Sequence, residues 1–402
     1  VTLDRIDVMV VVDALAMGGA EQVAVDHANT FDRRTHRVHV LATRDGGPLV
    51  DRLADDVSLT ILGRSATWDL RGLARFARIV RRSGIDVIHS HGRGAMKFVA
   101  LARGLGLITP RHVFHDHFGW LHLDRGAGVA LRAAMRLGVD AYLGVDARLC
   151  SWACTTAGMP PERTFLCRSG VDASRFARAQ PLPLRSELAI RDDQLVIAMI
   201  ANLRHPKDHP TLLRALAEIA PELRDRVKVV IVGALGVDPA YEAGCRAMIE
   251  RLGLADQVVL YGPSADPPAL LAAADAAVLS SKNETGPLVV LEYMAAGLPF
   301  IATDTGELSH AVRDLGVGFV PPPRDHLALA AALTELISMS DDERRAMGDR
   351  GRQVVLDTFD QPIVTRQIEE VYELVLGLRD RTDGLRSQRD GGSRIIARPA
   401  VR

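Results

Sequence analysis

Short apolar runs recur along this chain with helix-forming segments between them, and that alternation restricts the fold more than any other feature. Runs of this length without polar alternation suit strands buried on both faces, as in parallel sheets covered by helices. Residues 8–12, 38–42, 58–62, 87–89, 112–115, 141–145 and 164–167 predict strands in the first half; residues 195–201, 228–232, 257–261, 276–279 and 300–302 predict them in the second. The fold class is α/β, with parallel sheets covered by helices on both faces.

A chain of 402 residues exceeds one ordinary core and suits two domains with a cleft between them. The stretch Phe176-Ala-Arg-Ala-Gln-Pro-Leu-Pro-Leu184 carries two prolines and breaks the pattern. The expected layout is a first domain over 1–175, a linker over 176–190 and a second domain over 191–362. Helical patterns near 327–338, 342–358 and 364–378 close the fold, the segment 363–378 packing back on the first domain. The tail 379–402, rich in Arg, Asp, Gly and Ser, reads as disordered. No short-period repeat suggests a solenoid.

Composition excludes several function classes. Apolar residues make up 48% and charged ones 25%, which is globular rather than fibrous or disordered. The formal net charge of −1 lacks the basic footprint of a nucleic-acid binder, although a nucleotide remains open as a small ligand. Cys150, Cys154, Cys167 and Cys245 form no CxxC pair and have no zinc-finger spacing, so they read as reduced thiols. The first residues run into a strand without a basic and apolar leader, and no run of about 18 uncharged apolar residues follows. A cytoplasmic protein is expected.

The most specific segment is Ser280-Ser-Lys-Asn-Glu-Thr-Gly-Pro-Leu-Val-Val-Leu-Glu-Tyr-Met-Ala-Ala-Gly-Leu-Pro299, between two predicted strands. A helix starting near Gly286 or Pro287 would aim free N–H groups, including those of Leu288 and Val289, and its positive dipole end at a ligand outside the strand. Anionic diphosphate is the natural occupant. Glu292, about two turns into that helix, can accept paired hydrogen bonds from ribose hydroxyls, and Glu284 can reach a sugar. The plainer alternative makes Glu284 a dipole-favoured cap-region acid and Glu292 a solvated surface charge.

This segment and its continuation Met294-Ala-Ala-Gly-Leu-Pro-Phe-Ile-Ala-Thr-Asp-Thr-Gly-Glu307 resemble the paired-glutamate motif of retaining glycosyltransferases of family 4. That resemblance implies the GT-B architecture, two Rossmann-like, doubly wound domains facing a cleft, and transfer of a sugar from a nucleotide diphosphate donor to an acceptor hydroxyl with retention. A second match is Ile200-Ala-Asn-Leu-Arg-His-Pro-Lys-Asp-His-Pro-Thr-Leu-Leu213, at a strand end where ligands bind in such sheets. There Lys207 and Arg204 can stabilise charge developing on the leaving diphosphate. The family places an Arg five residues before this Lys; here Asn202 stands there, with Arg204 two residues on, so the role transfers to Lys207.

The first domain matches more loosely. Met17-Gly-Gly-Ala-Glu21 resembles the family's glycine loop, in which Gly18 and Gly19 let backbone approach a phosphate or acceptor. It is not the dinucleotide fingerprint GxGxxG. His89-Ser-His91-Gly92 and His112-Val-Phe-His-Asp-His117 each end a predicted strand, so their side chains are expected to line the same cleft. His115 matches the family's strand-terminal His, with a hydrogen-bonding role at the sugar. Ser169-Gly-Val-Asp172 stands where the family has Asn-Gly-Val-Asp, or is simply an interdomain turn.

No metal is expected: HExxH is absent, no Asp-x-Asp pair would hold an ion against the diphosphate, and the resemblance implies metal-independent chemistry. No cofactor is implied beyond the donor substrate, and the acceptor, sugar, lipid-linked or small, is unread. Arg71, Arg75, Arg78, Arg81 and Arg82 fall mostly on one face of a predicted helix. That face is either ordinarily solvated or docks peripherally on an anionic inner membrane surface. Fold alone leaves a sugar-nucleotide epimerase, a phosphorylase or a non-catalytic sugar-nucleotide-binding partner open. A dehydrogenase is disfavoured by the missing fingerprint.

Overall fold

The computed structural model describes residues 5–117, 126–264 and 266–378, so the tail 379–402 lies outside the described residues. The chain divides into two compact units, residues 1–170 with 361–402, and residues 171–360.

The first unit is built on β1 (Ile6–Ala14), β2 (His36–Asp45), β3 (Ser58–Ile61), β4 (Val87–His91), β5 (Arg111–Asp116), β6 (Ala141–Gly144) and β7 (Thr164–Leu166). They form one sheet in the order β3-β2-β1-β4-β5-β6-β7, and the registered pairs are parallel. The central strand shows why an unbroken apolar run is needed. Val8, Val10 and Val12 enter the core on one face of the sheet, whereas Met9 and Val11 enter the core on the other. Successive side chains point to opposite faces, so a strand with helices on both sides must be apolar at every position.

The second unit repeats the plan with β8 (Leu195–Ile200), β9 (Val227–Val232), β10 (Val258–Gly262), β11 (Ala276–Leu279), β12 (Phe300–Ala302) and β13 (Gly318–Phe319). Its order is β10-β9-β8-β11-β12-β13, again through parallel pairs. Val196 and Ala198 serve one core layer, Ile197 and Met199 the other. Strand β13 was not foreseen, because its two residues carry no apolar run. It pairs through Phe300↔Gly318, and a Cβ on Gly318 would stand 2.6 Å from the Phe300 carbonyl oxygen.

The segment 176–190, expected to be a linker, belongs to the second unit's core. Phe176, Leu184 and Ile190 are buried there, so its prolines shape a packed strap. The division falls instead at Gly170 and Val171, inside the Ser169-Gly-Val-Asp172 stretch. Within the second unit Val171 bridges Asp360, the Val171 N–H donates to the Phe359 carbonyl at 2.9 Å, and the Ala173 N–H donates to Asp360 at 3.1 Å. The helix Gln361–Leu376 groups with the first unit. Its Val364, Ile368, Val371 and Tyr372 recur at helical spacing and enter the core beside Val8 and Val113.

Candidate functional site

In each sheet the strand order reverses beside the strand that starts the unit, between β1 and β4 and between β8 and β11. In open α/β sheets the crevice at the carboxyl ends of such a pair is where ligands bind. The two best-matched segments follow β8 and β11 directly, on either side of the second reversal.

There the loops after β8 and β11 are clamped to each other. Lys207 Nζ donates to Glu284 Oε1 at 2.7 Å, with the two side chains 19% and 16% exposed. Ser281 Oγ donates to the same Glu284 oxygen at 2.7 Å. Lys282 Nζ lies 3.1 Å from Asp208 Oδ1, the Lys282 N–H donates to the Pro206 carbonyl at 2.8 Å, and Ser280 Oγ donates to the Asp208 carbonyl at 3.1 Å. Asp208, buried, sits at φ +54, a left-handed conformation that Asp tolerates better than most residues. Gly306 does related work behind Glu284: its φ is +77, and a Cβ there would come within 2.9 Å of the Glu284 and Thr285 carbonyl oxygens. Only glycine lets the turn after β12 support the backbone that carries Glu284.

The helix Leu288–Ala295 opens after Pro287, so Leu288 and Val289 occupy its first turn and Gly286 lies just outside it. Glu292 is its fifth residue, just over one turn in rather than two. It is only 7% exposed, which removes the solvated-surface reading. Beside it Tyr293 is fully buried; its hydroxyl donates to the Val278 carbonyl at 3.1 Å and accepts from the Ile200 N–H at 3.0 Å. This phenol fills the gap where β8 and β11 part, and burial raises its pKa so that it stays a donor.

The remaining second-unit residues separate. Asn202 Oδ1 accepts from the Ala234 N–H at 2.8 Å, tying the loop after β8 to the one after β9. A Cβ on Gly233 would stand 2.3 Å from the Ala201 carbonyl, so the two loops touch along their backbones. Asn202 therefore holds the loop's shape where the family has a cation, and Arg204 is the exposed cation of that loop.

In the first unit Gly18 caps the helix Gly19–Thr30 at the end of β1, and any Cβ on Gly18 would meet the Glu21 carboxylate at 2.2 Å. Gly19 has open space around it. The histidines do not line an open surface: His27, His89 and His115 are fully buried and His91 is 3% exposed. Residues 89 and 91 share a face of β4, and His91 is in register with His115 on β5. Ring centroids of His89, His91 and His115 lie 4.4 to 5.5 Å apart, and one ligand nitrogen from each can be chosen with all three within 4.8 Å. His115 is thus an interior ring, and its placement does not present it to a sugar. Burial lowers the pKa of each of these rings, so they are neutral at ordinary pH. His112 points to the other face, where Ser90 Oγ and the Gly138 carbonyl hold its two nitrogens at 2.7 and 2.6 Å.

The residues that the sequence did not single out are Asp208, Ser281, Lys282, Tyr293 and Gly306. All five lie inside the quoted motifs, but their roles are contacts between distant segments. All four cysteines are free thiols. Among the described residues no helix is long and apolar enough to cross a membrane. The helix Leu70–Arg82, capped by Asp69, buries Leu73, Phe76 and Val80 and leaves its five arginines exposed, beside Trp68 and Leu70 at 77% and 74% exposure.

Comparison with known proteins agrees with this geometry. Residues 183–354 match the family model of glycosyl transferases group 1, and residues 17–175 match that of glycosyltransferase family 4. The D-inositol 3-phosphate glycosyltransferase of Thermobispora bispora is 30% identical over 330 residues, 78% of this chain and 76% of that protein. The N-acetyl-alpha-D-glucosaminyl L-malate synthase of Bacillus anthracis is 23% identical over 385 residues, 92% and 97% of the two chains. Among solved structures, Anabaena Alr3699/HepE in complex with UDP and glucose superposes with a TM-score of 0.78 at 21% identity, covering 92% of this chain and all of that one. Two sheets with the same reversal, a clamped Lys and Glu pair at the second, and a relative aligned over three quarters of both chains lead to one assignment: the chain belongs to the group 1 glycosyltransferases of GT-B fold, and it is a glycosyltransferase.

Proposed function

We propose that this chain transfers a glycosyl group from a nucleoside diphosphate sugar to an acceptor hydroxyl with retention, and without a metal ion at the diphosphate. The observation that carries this reading is the 2.7 Å contact of Lys207 with Glu284 at the β8 and β11 reversal, beside the helix that buries Glu292. The names of the relatives and the UDP and glucose complex of the Anabaena protein support it.

In the unliganded chain Glu284 partly neutralises Lys207 and holds its ammonium at the strand ends. A diphosphate carries more charge than one carboxylate, so the ammonium turns toward it as the donor enters. Glu284, still fixed by Ser281, is then left to accept from the transferred sugar's hydroxyls. Glu292 accepts from the ribose, and the first turn of its helix presents N–H groups to the phosphates. In the transfer step the acceptor oxygen bonds to the anomeric carbon on the face that the diphosphate leaves. The carbon–oxygen bond to phosphate breaks with its electron pair on the phosphate oxygen, and that oxygen takes the acceptor hydroxyl's proton. Lys207 and Arg204 stabilise charge that grows only in the transition state.

The decisive experiment screens a panel of nucleotide sugars for thermal stabilisation and hydrolysis, then examines the fresh transfer product by proton NMR. The expected product keeps the donor's anomeric configuration, and added magnesium or manganese gives no gain. An inverted product, or activity that appears only with those ions, overturns the mechanism. Turnover with donor alone and no acceptor would point to an epimerase, turnover with phosphate to a phosphorylase.

A further inference from the structure

The first unit holds a cluster that the transfer chemistry does not use. His89 and His91 project from β4 and His115 from β5 toward the layer formed by the helices Gly19–Thr30 and Gln361–Leu376, and His27 of the first of these helices closes the group. The His27 ring centroid is 5.9 to 6.3 Å from the other three.

On three of the four rings, His27, His89 and His91, the Nδ1 atom is anchored. Tyr372 Oη lies 2.7 Å from His89 Nδ1, and His117 Nε2 lies 3.1 Å from His91 Nδ1. On His27, the Gln361 side-chain amide lies 2.8 Å from Nδ1. The Nε2 atoms of His27, His89 and His91 are buried without a hydrogen-bond partner, as are the ring nitrogens of His115. Buried polar atoms are nearly always satisfied, so orphans gathered in one place require a shared explanation. Anchored Nδ1 atoms with inward Nε2 atoms are the arrangement of metal-ligating histidines, whose outer nitrogen is held by a second partner that fixes tautomer and ring orientation. Ligand nitrogens around a tetrahedral ion stand ~3.3 Å apart for bond lengths of ~2.05 Å. Small ring rotations bring three nitrogens that already lie within 4.8 Å of one another to that spacing.

We propose that His89, His91 and His115 bind one divalent zinc ion, with His27 as the fourth ligand. An all-imidazole donor set suits zinc among the available divalent ions, and four protein ligands make a closed, structural site rather than a catalytic one. The ion joins β4 and β5 to the helix Gly19–Thr30 and, through Tyr372, to the helix Gln361–Leu376. It lies in the first unit, whereas Lys207 and Glu284 belong to the second, and it takes no part in neutralising the diphosphate.

The test uses full-length, tag-free protein stripped of metal by a strong chelator and titrated with zinc chloride or cobalt(II) chloride. One equivalent is expected to bind, cobalt giving the intense visible absorption of tetrahedral coordination, and zinc raising the melting temperature. His89→Gln and His115→Gln should each lose that equivalent, while His326→Gln keeps it. Tyr372→Phe retains every ligand and the ring's shape, so it keeps the proposal testable if a histidine variant does not fold. It should weaken zinc binding about 10- to 100-fold. Absence of a bound equivalent, or an equivalent that persists in both His89→Gln and His115→Gln, overturns the site. Nucleotide diphosphate affinity, which depends on the second unit, should be the same with and without zinc, so this proposal and the proposed transfer reaction fail independently.

Discussion

The two sheets reverse at the same place in their strand order, yet the groups gathered there are opposite in kind. In the second unit they are charges, Lys207, Glu284, Lys282 and Asp208, paired in loops beyond the strand ends. In the first they are neutral imidazoles, His89, His91 and His115, inside the strands themselves. A few residues of position along a strand separate the two. Side chains within a strand face the helix layer, where desolvation suppresses charge. Side chains a few residues beyond it reach the rim, where a charge keeps partial hydration and an incoming ligand can replace its partner. One fold thus offers a dry layer suited to structure and a wet rim suited to chemistry.

The sharpest way to break this contrast is at the rim. Lys207→Ala should lower turnover by at least about 10²-fold, the loss typical of one positioned transition-state donor. Steady-state kinetics on a folded variant checks it, and near-normal turnover would reduce the Lys207 and Glu284 pair to a structural ion pair. The two glutamates should divide next. Loss of paired hydrogen bonds to a carboxylate in Glu292→Ala should weaken free nucleotide diphosphate binding about 10-fold or more. Glu284→Ala should leave that affinity nearly intact and reduce transfer. Calorimetric titration of both variants separates the roles, and equal affinities would merge them.

Acid should sharpen the contrast in stability. His112 in the first unit has its pKa lowered to about 4, chiefly by burial and also by Arg103, against the opposing Gly138 carbonyl and Asp140. His209 in the second is likewise lowered to about 4 by burial. With an unfolded value near 6.5, the unfolded chain takes up protons that the folded chain refuses. The stabilisation is therefore complete above 6.5 and lost as pH falls toward 4, at about 1.4 kcal/mol per ring per pH unit. Denaturant titrations at about pH 7.5 and about pH 5.5 should show this loss, and His112→Gln should flatten the dependence. A profile unchanged in that variant would assign the acid sensitivity elsewhere.

The smallest effect is expected on the exposed arginine face of the helix Leu70–Arg82. Replacing Arg71, Arg75 and Arg78 by Gln should change stability by less than about 0.5 kcal/mol, because the residues that pack are Leu73, Phe76 and Val80. Melting curves check this. Sedimentation of the parent chain with anionic liposomes at low and high salt tests whether that face, with Trp68 and Leu70 beside it, also docks on a charged membrane.

Much of this was legible from the chain alone. Apolar runs at 8–12 and 195–201 identified the central strands, because a strand covered on both faces cannot alternate polar and apolar residues. Lys207, Glu284 and Glu292 were singled out because their motifs stand next to strand ends and resemble those of a known family, and the structure brings the first two into contact. The linker was misplaced because proline marks an irregular backbone whether or not that backbone is packed, and only the burial of Phe176, Leu184 and Ile190 shows the difference. Glu292 could be numbered in the sequence, but its burial could not.

The local pattern determined which residues become strands, where loops leave them and which charged residues those loops carry, since each depends on neighbours within about ten positions. The tertiary structure decided the rest. Only it brings residues 207 and 284 to 2.7 Å, sets the Tyr293 hydroxyl between β8 and β11, and gathers His27, His89, His91 and His115 under a helix that begins at residue 361. Those contacts join segments tens to hundreds of residues apart, and parallel strand order is what makes them neighbours. Periodicity within one segment reports which face is apolar; it carries no information about which distant side chain will stand against that face.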